Sequence, residues 1–113
     1  MGQMGDCYEA AAKLMYDRCL MNPECGLVLV HGEVMGQGPI EGVTYGHAWV
    51  LDGSTVIDRS NGGNVILPIQ LYYSIGKIDQ INNVHTYTWD EARRKLVQFE
   101  HYGPWDLNTE TGL

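Results

Sequence analysis

Positive charge is scarce in this sequence, and that scarcity limits the partners we expect. The 113 residues include seven lysines and arginines against 14 aspartates and glutamates, a formal net charge of −7. An acidic surface repels phosphate groups, so we expect neither nucleic acid nor an anionic membrane surface as a partner. No apolar run approaches the roughly 18 residues of a membrane span. The first residues also lack the basic and then apolar pattern of a signal peptide.

Cysteine is scarce as well, with Cys7, Cys19 and Cys25 as the three examples. An odd number of cysteines, no CxxC spacing and no export signal are typical of free thiols in a reducing cytoplasm. The sequence therefore predicts a cytoplasmic protein in which Cys19 and Cys25 are structural residues.

The sequence also lacks the spacing of the common metal and phosphate motifs. Outside the constellation described below, His31 and Glu33 share one strand face and could bind a metal together with His85 or His101. None has the spacing of a zinc motif, so we expect solvated or hydrogen-bonded histidines, with no metal site and no cofactor. The glycine-rich segments 36–42 and 61–64 lack phosphate-cradle spacing and are predicted to be loops.

Helical and strand-like patterns along the chain predict an α+β fold. Helical spacing of apolar residues predicts a helix from Asp6 to about Leu20, with Asp6 as N-cap and Glu9 in a capping box. A second helix is expected after Thr88, with Glu91 completing its capping box. Four runs have the aliphatic and β-branched content of strands: 26–34, 45–51, 54–58 and 84–87.

The predicted architecture is a single domain, residues 1–113. Its N-terminal helix packs on an antiparallel sheet, and a second helix lies near the C-terminus. The segment 65–78 is ambiguous, because Pro68 suits either an edge strand or the start of a short helix.

A predicted hairpin places a histidine opposite an aspartate. Asp52-Gly53 between two strand-like runs favours a type I′ turn. With that turn Val50 faces Thr55, and His47 faces Asp58 with Cβ atoms about 4.5–5.5 Å apart. The carboxylate would then hold the imidazole in one orientation and one tautomer. A one-residue bulge would break this arrangement.

Cys7 is predicted to start the first helix. There the helix dipole and the free backbone N–H groups favour a thiolate and can hold an oxyanion, although the neighbouring Asp6 opposes the thiolate. A nucleophilic thiol needs an imidazole and a group that orients the imidazole. Cys7, His47 and Asp58 therefore form a candidate catalytic triad. Two alternatives stay open: structural roles for the three residues, or a zinc site with one open position.

The segments that contain these residues resemble known enzymes. They read Gly5-Asp6-Cys7-Tyr8, Gly46-His47-Ala48-Trp49 and Val56-Ile57-Asp58. The first resembles the nucleophile segment of calpain-type and other papain-like enzymes. The other two resemble the histidine–aspartate segment of the transglutaminase-like core, and the order of the three residues is that of the superfamily.

The resemblance covers residues 6–59 and implies a minimal papain-like or transglutaminase-like core. It implies thiol-dependent acyl transfer or amide hydrolysis, as in a peptidase, amidase or transglutaminase, on a peptide or small amide. Cys7 would be the nucleophile, His47 the general base and Asp58 the residue that orients it. The resemblance also suggests Gln3 as an oxyanion donor.

Other roles remain open from the sequence. Trp49, on the face of His47, and Tyr8 are candidates for the wall of a substrate cleft. A non-catalytic binding module on a papain-like fold is the main alternative function, and a zinc-dependent hydrolase is a weaker one. A buried Cys7, or a His47 that faces away from it, would favour the binding module.

Overall fold

A five-stranded antiparallel sheet and three α-helices make up the described part of the chain, residues 6–35, 42–78 and 84–106 of a computed structural model. The helices are α1 (Cys7–Cys19), α2 (Ile69–Gly76) and α3 (Trp89–Phe99). The strands are β1 (Leu27–Met35), β2 (Thr44–Asp52), β3 (Thr55–Asp58), β4 (Val65–Pro68) and β5 (Val84–Thr88). They lie in the order β4-β3-β2-β1-β5. The predicted α+β class is confirmed, and none of the described helices is long and apolar enough to cross a membrane.

Helices cover both faces of the sheet. Leu29 and Val50 share one apolar cluster with α1 and α3, whereas Val30 and Trp49 share another with Tyr73 of α2. Because successive strand residues point to opposite faces, β1 and β2 are buried on both sides at their centres. This explains why β1 has a nearly continuous apolar sequence rather than an alternating one.

The two predicted capping boxes have different outcomes. Thr88 accepts a hydrogen bond from the Glu91 backbone N–H at 3.2 Å, and its own N–H donates to Glu91 Oε1 at 2.9 Å, so the box at α3 is confirmed. Asp6 occupies the N-cap position of α1, but its side chain makes no capping bond. Glu9 instead pairs with Lys13 one turn later.

Both alternatives for the segment around Pro68 occur in the structure. Pro68 ends β4, an edge strand, and α2 begins at Ile69. Proline fits at this boundary because it has no N–H to contribute to a ladder. The Ile69 N–H donates to the Ser54 carbonyl at 2.8 Å and ties the start of α2 to the β2–β3 hairpin.

The hairpin turn differs from the predicted one. Asp52 pairs with Thr55, so the turn residues are Gly53 and Ser54 rather than Asp52 and Gly53. Gly53 has φ +63°, the positive value that a type II′ turn requires at its first central residue. Val50 consequently faces Ile57. The register is shifted by two residues from the prediction, which leaves every side chain on its expected face.

A disulfide joins Cys19 to Cys25 and connects the end of α1 to the segment before β1. The prediction of free thiols is therefore wrong for these two residues, whereas Cys7 is not part of a disulfide. Disulfides persist mainly in oxidising environments. Free thiols can therefore no longer be used to argue that this protein is in a reducing cytoplasm.

The C-terminal segment 101–106 folds back over β1 and buries His31. The ring centroids of Tyr8, Tyr87 and Trp105 lie 4.9, 5.1 and 4.9 Å from that of His31. Neither ring nitrogen of His31 has a hydrogen-bond partner within the described residues. Burial lowers the pKa of His31 to about 3, so its ring is neutral at pH 7. The prediction of a solvated or hydrogen-bonded His31 is wrong, because it belongs to the core.

We predict that Gly103→Ala destabilises the protein more than Gly26→Ala. Both glycines have positive φ, +127° and +76°, but a Cβ at Gly103 would lie 2.6 Å from Cε1 of His31, whereas one at Gly26 meets no atom within 4 Å. The additional overpacking should cost about 1–3 kcal/mol. Urea unfolding of both variants measures this difference. Equal losses of stability would show that the C-terminal segment does not pack tightly on His31.

Candidate active site

His47 and Asp58 form a buried pair between β2 and β3. Nε2 of His47 lies 2.9 Å from Oδ2 of Asp58, and each residue is 8% exposed. The last ladder pair is Val50 with Ile57, so continuation of the register places Asp58 opposite Trp49 and diagonal to His47. Diagonal neighbours on one face are within reach of long side chains. The contact therefore forms even though the direct pairing that predicted it is wrong.

Three hydrogen bonds converge on the Asp58 carboxylate. Besides His47, the Tyr72 hydroxyl donates to Oδ2 at 2.6 Å and the Ser60 backbone N–H donates to Oδ1 at 2.9 Å. Burial alone would raise the pKa of Asp58, but the bonds, led by that with His47, hold the pKa well below its ordinary range. Asp58 is therefore ionised across the physiological pH range.

Tyr72 is a site residue that sequence reasoning missed. It lies in the segment whose secondary structure was ambiguous, so its direction could not be derived from periodicity. Burial and the Asp58 charge raise the pKa of its hydroxyl, which therefore keeps its proton and donates. The only sign of a site residue in this segment was the pair of neighbouring aromatic residues Tyr72-Tyr73, four residues after Pro68. Such a pair does not indicate which residue either side chain contacts.

Cys7 meets His47 where the β2–β3 ladder ends. The N-terminal part of β2, from Thr44 up to Val50, does not pair with β3. The helix α1 packs against β2 and against the 3-10 turn Ser60–Gly62. The Cys7 side chain is 4% exposed and hydrogen-bonds to His47. Because Asp58 occupies Nε2, Nδ1 is the ring nitrogen left for the thiol. The structure thus brings the three predicted side chains together.

The pKa of His47 reflects two opposing effects. Burial lowers it, but the hydrogen bonds with Asp58 and Cys7 outweigh burial and raise the pKa from 6.5 to about 9. The folded state therefore retains a proton that the unfolded chain releases between these two values. The stabilisation from this proton is complete below about pH 6.5 and is lost as the pH rises through about 9.

The two candidates for a cleft wall, Trp49 and Tyr8, are both buried. Trp49 is fully buried and stacks on His47 with ring centroids 6.2 Å apart, whereas Tyr8 is 5% exposed in the ring cluster over β1. Neither is among the described residues that line the cavity beside His47. Gln3 lies outside the described residues.

The histidines outside the triad do not assemble a metal centre in the described ranges. No group of three His, Cys, Asp or Glu side chains in residues 6–35, 42–78 and 84–106 is placed to hold a metal ion. His31 lies in the core, and Nδ1 of His101 accepts a hydrogen bond from the Gly103 N–H at 3.0 Å. The zinc alternative therefore gains no support from the geometry.

Comparisons with known proteins assign no family to this geometry. Protein-family models, curated proteins and solved structures were compared with the chain, and none matches it. The function must therefore be argued from the residues of the site: a buried ionised carboxylate, an imidazole bonded to it, and a thiol at a helix N-terminus.

We predict that His47 titrates near pH 9 in the folded protein and that Asp58→Asn lowers this pKa by roughly 1–3 units. Without the carboxylate charge, burial is opposed chiefly by the bond to Cys7. NMR titration of the His47 ring measures the shift. Tyr73→Phe is the matched control. The Tyr73 hydroxyl accepts a hydrogen bond from the Trp49 indole at 3.3 Å and is not one of the groups that bond to Asp58. A wild-type His47 pKa of 6.5 or lower would contradict the geometry.

Proposed function

We propose that the protein catalyses thiol-dependent acyl transfer or amide hydrolysis on a minimal papain-like or transglutaminase-like core. Cys7 is the nucleophile, His47 the general base and Asp58 the residue that orients it. The observation that carries the proposal is the continuous set of hydrogen bonds from Cys7 through His47 to Asp58. A nucleophile, a base and a group that orients the base are the parts that covalent acyl transfer needs.

The arrangement supports a two-step reaction. In the reacting form the thiol proton has already passed to Nδ1 of His47, which makes the ring an imidazolium, and the Cys7 sulfur attacks an amide carbonyl carbon. The imidazolium then protonates the leaving amine as the C–N bond breaks, which leaves a thioester on Cys7. Water or an amine, deprotonated by His47, attacks the thioester, and the returning proton restores the thiol. Asp58 stays ionised throughout and stabilises the imidazolium.

The developing oxyanion has donors at the start of α1. Cys7 is the first residue of that helix, and the N–H groups of a first helical turn point out of the helix end toward a bound anion. Such groups, together with the helix dipole, stabilise negative charge on a carbonyl oxygen. The backbone N–H of Cys7 is the donor nearest in sequence to the attacking sulfur, and Gln3 is proposed as a second donor.

The arrangement of elements supports the proposed fold. An N-terminal helix begins with the cysteine, while the histidine and aspartate follow on adjacent antiparallel strands. This is the chain order and placement that the sequence resemblance implied.

A non-catalytic binding module is the second candidate, and the burial of Cys7 favours it. At 4% exposure the sulfur has little direct access to solvent. The orientation of His47 toward Cys7 favours the enzyme instead. Burying an ionised pair costs free energy that an apolar pair would not cost. We therefore prefer the enzyme, because strongly perturbed pKa values concentrate at sites of chemistry.

Substrate and location remain predictions. A peptide or small amide is the proposed substrate, and the net charge of −7 favours neutral or cationic compounds over nucleic acid or anionic membranes. The cytoplasm is the proposed location, whereas the Cys19–Cys25 disulfide is more typical of an oxidising compartment. The redox state of these two cysteines in the cell distinguishes the two locations.

The experiment that tests the proposal is alkylation of Cys7 by iodoacetamide as a function of pH, followed by mass spectrometry. Because Cys7 is buried, each variant is compared with itself across pH rather than by absolute rate. We expect wild-type alkylation to be half-maximal below about pH 7, and His47→Ala to move that midpoint toward about 8.5, the value of a free thiol. Asp58→Ala should move it in the same direction.

His101→Ala is the matched control, since it removes an exposed histidine outside the site. It should leave the midpoint unchanged. A wild-type midpoint near 8.5 that none of the variants moves would remove the basis for the enzyme and leave the binding module.

A further inference from the structure

A cavity of about 260 Å³ adjoins the triad on the side of His47 and Asp58. It lies between the end of β1, the edge strand β4 and the helix α2. Five of the side chains around it are apolar: Val34, Met35, Val65, Leu67 and Ile75. The cavity thus combines an apolar wall with direct access to the imidazole of the triad.

Most polar groups of the cavity already form hydrogen bonds with one another. Both carboxylate oxygens of Asp58 already accept hydrogen bonds, from His47, Tyr72 and the Ser60 N–H. The charge of Asp58 is balanced by the proton that His47 retains at neutral pH. No lysine, arginine or glutamate is among the described residues that line the cavity. A charged group would therefore lose its hydration here without gaining an ionic partner.

We propose that this cavity receives an apolar side chain or acyl chain of the substrate, next to the carbonyl that Cys7 attacks. The inference rests on the proposed function and specifies its substrate class: neutral amides or esters whose acyl part carries an aliphatic or aromatic group. The cavity has room for a side chain of leucine or phenylalanine size. Burial of each methylene group should improve recognition about fourfold.

Two residues of α2 provide a matched pair for the test. Ile75 lines the cavity, whereas Leu71, one helical turn earlier, does not. Both side chains are 47% exposed. A lysine at either position should therefore be tolerated by the fold to a similar extent, and only the one at Ile75 places a charge at the cavity.

The test uses three chloromethyl ketones, derived from N-acetyl-leucine, N-acetylglycine and N-acetylglutamate. In each the Cys7 sulfur forms a bond to the methylene carbon and chloride leaves, while His47 holds the proton that the thiol has given up. The labelling rate of Cys7 is divided by its rate with iodoacetamide, which corrects for the reactivity of the thiol. In the wild type the leucine probe should exceed the glycine probe by at least about tenfold, with the glutamate probe slowest.

The variants assign that preference to the cavity. Ile75→Lys should lower the leucine preference about tenfold or more and accelerate the glutamate probe, whereas Leu71→Lys should leave both ratios unchanged. Ile75→Gln, which adds no charge, should lower the leucine preference without favouring glutamate. This second variant keeps the test decisive if the lysine at Ile75 disturbs folding, which circular dichroism detects.

Failure of the two proposals can be distinguished. If iodoacetamide shows no dependence on His47, the proposed function fails. If the thiol depends on His47 but the leucine and glycine probes label equally, the cavity does not bind apolar groups and only the substrate class fails. The same conclusion follows if Ile75→Lys and Leu71→Lys behave alike.

Discussion

The buried bond between Asp58 and His47 is the interaction on which the candidate chemistry depends. It joins β2 to β3 beyond the end of their ladder and directs the second ring nitrogen toward Cys7. It also keeps the imidazole protonated despite burial. Tyr72 and Ser60 bind the same carboxylate, so α2 and the 3-10 turn are held to the site by one side chain.

The rest of the fold positions the helix that begins with Cys7. At its C-terminal end the Cys19–Cys25 disulfide ties α1 to the segment before β1. At its N-terminal end Tyr8, next to Cys7, packs on the buried ring of His31 beneath the segment 101–106. The helix is thus fixed at both ends against the sheet, which is what a nucleophile needs if its sulfur is to stay within reach of one imidazole.

The sequence was informative where local periodicity decides the structure. The alternation of side chains along a strand predicts that His47 and Asp58 lie on the same face of the sheet. The predicted turn was wrong, but the actual register differs from the predicted one by two residues, so both side chains remain on that face. The disulfide was missed, because composition does not show that Cys19 and Cys25 end up close in space. The direction of Tyr72 and the burial of Trp49 depend on how α2 packs on the sheet, which no local pattern specifies.

The most direct test of the central claim is to trap the acyl-enzyme. Wild type and His47→Ala are mixed with p-nitrophenyl hexanoate, and intact mass is followed with time. The account predicts a hydroxylamine-sensitive hexanoyl thioester on Cys7 that forms at least about 100-fold more slowly in His47→Ala. Absence of the thioester in the wild type, or equal rates in the two proteins, would contradict the claim that His47 activates Cys7.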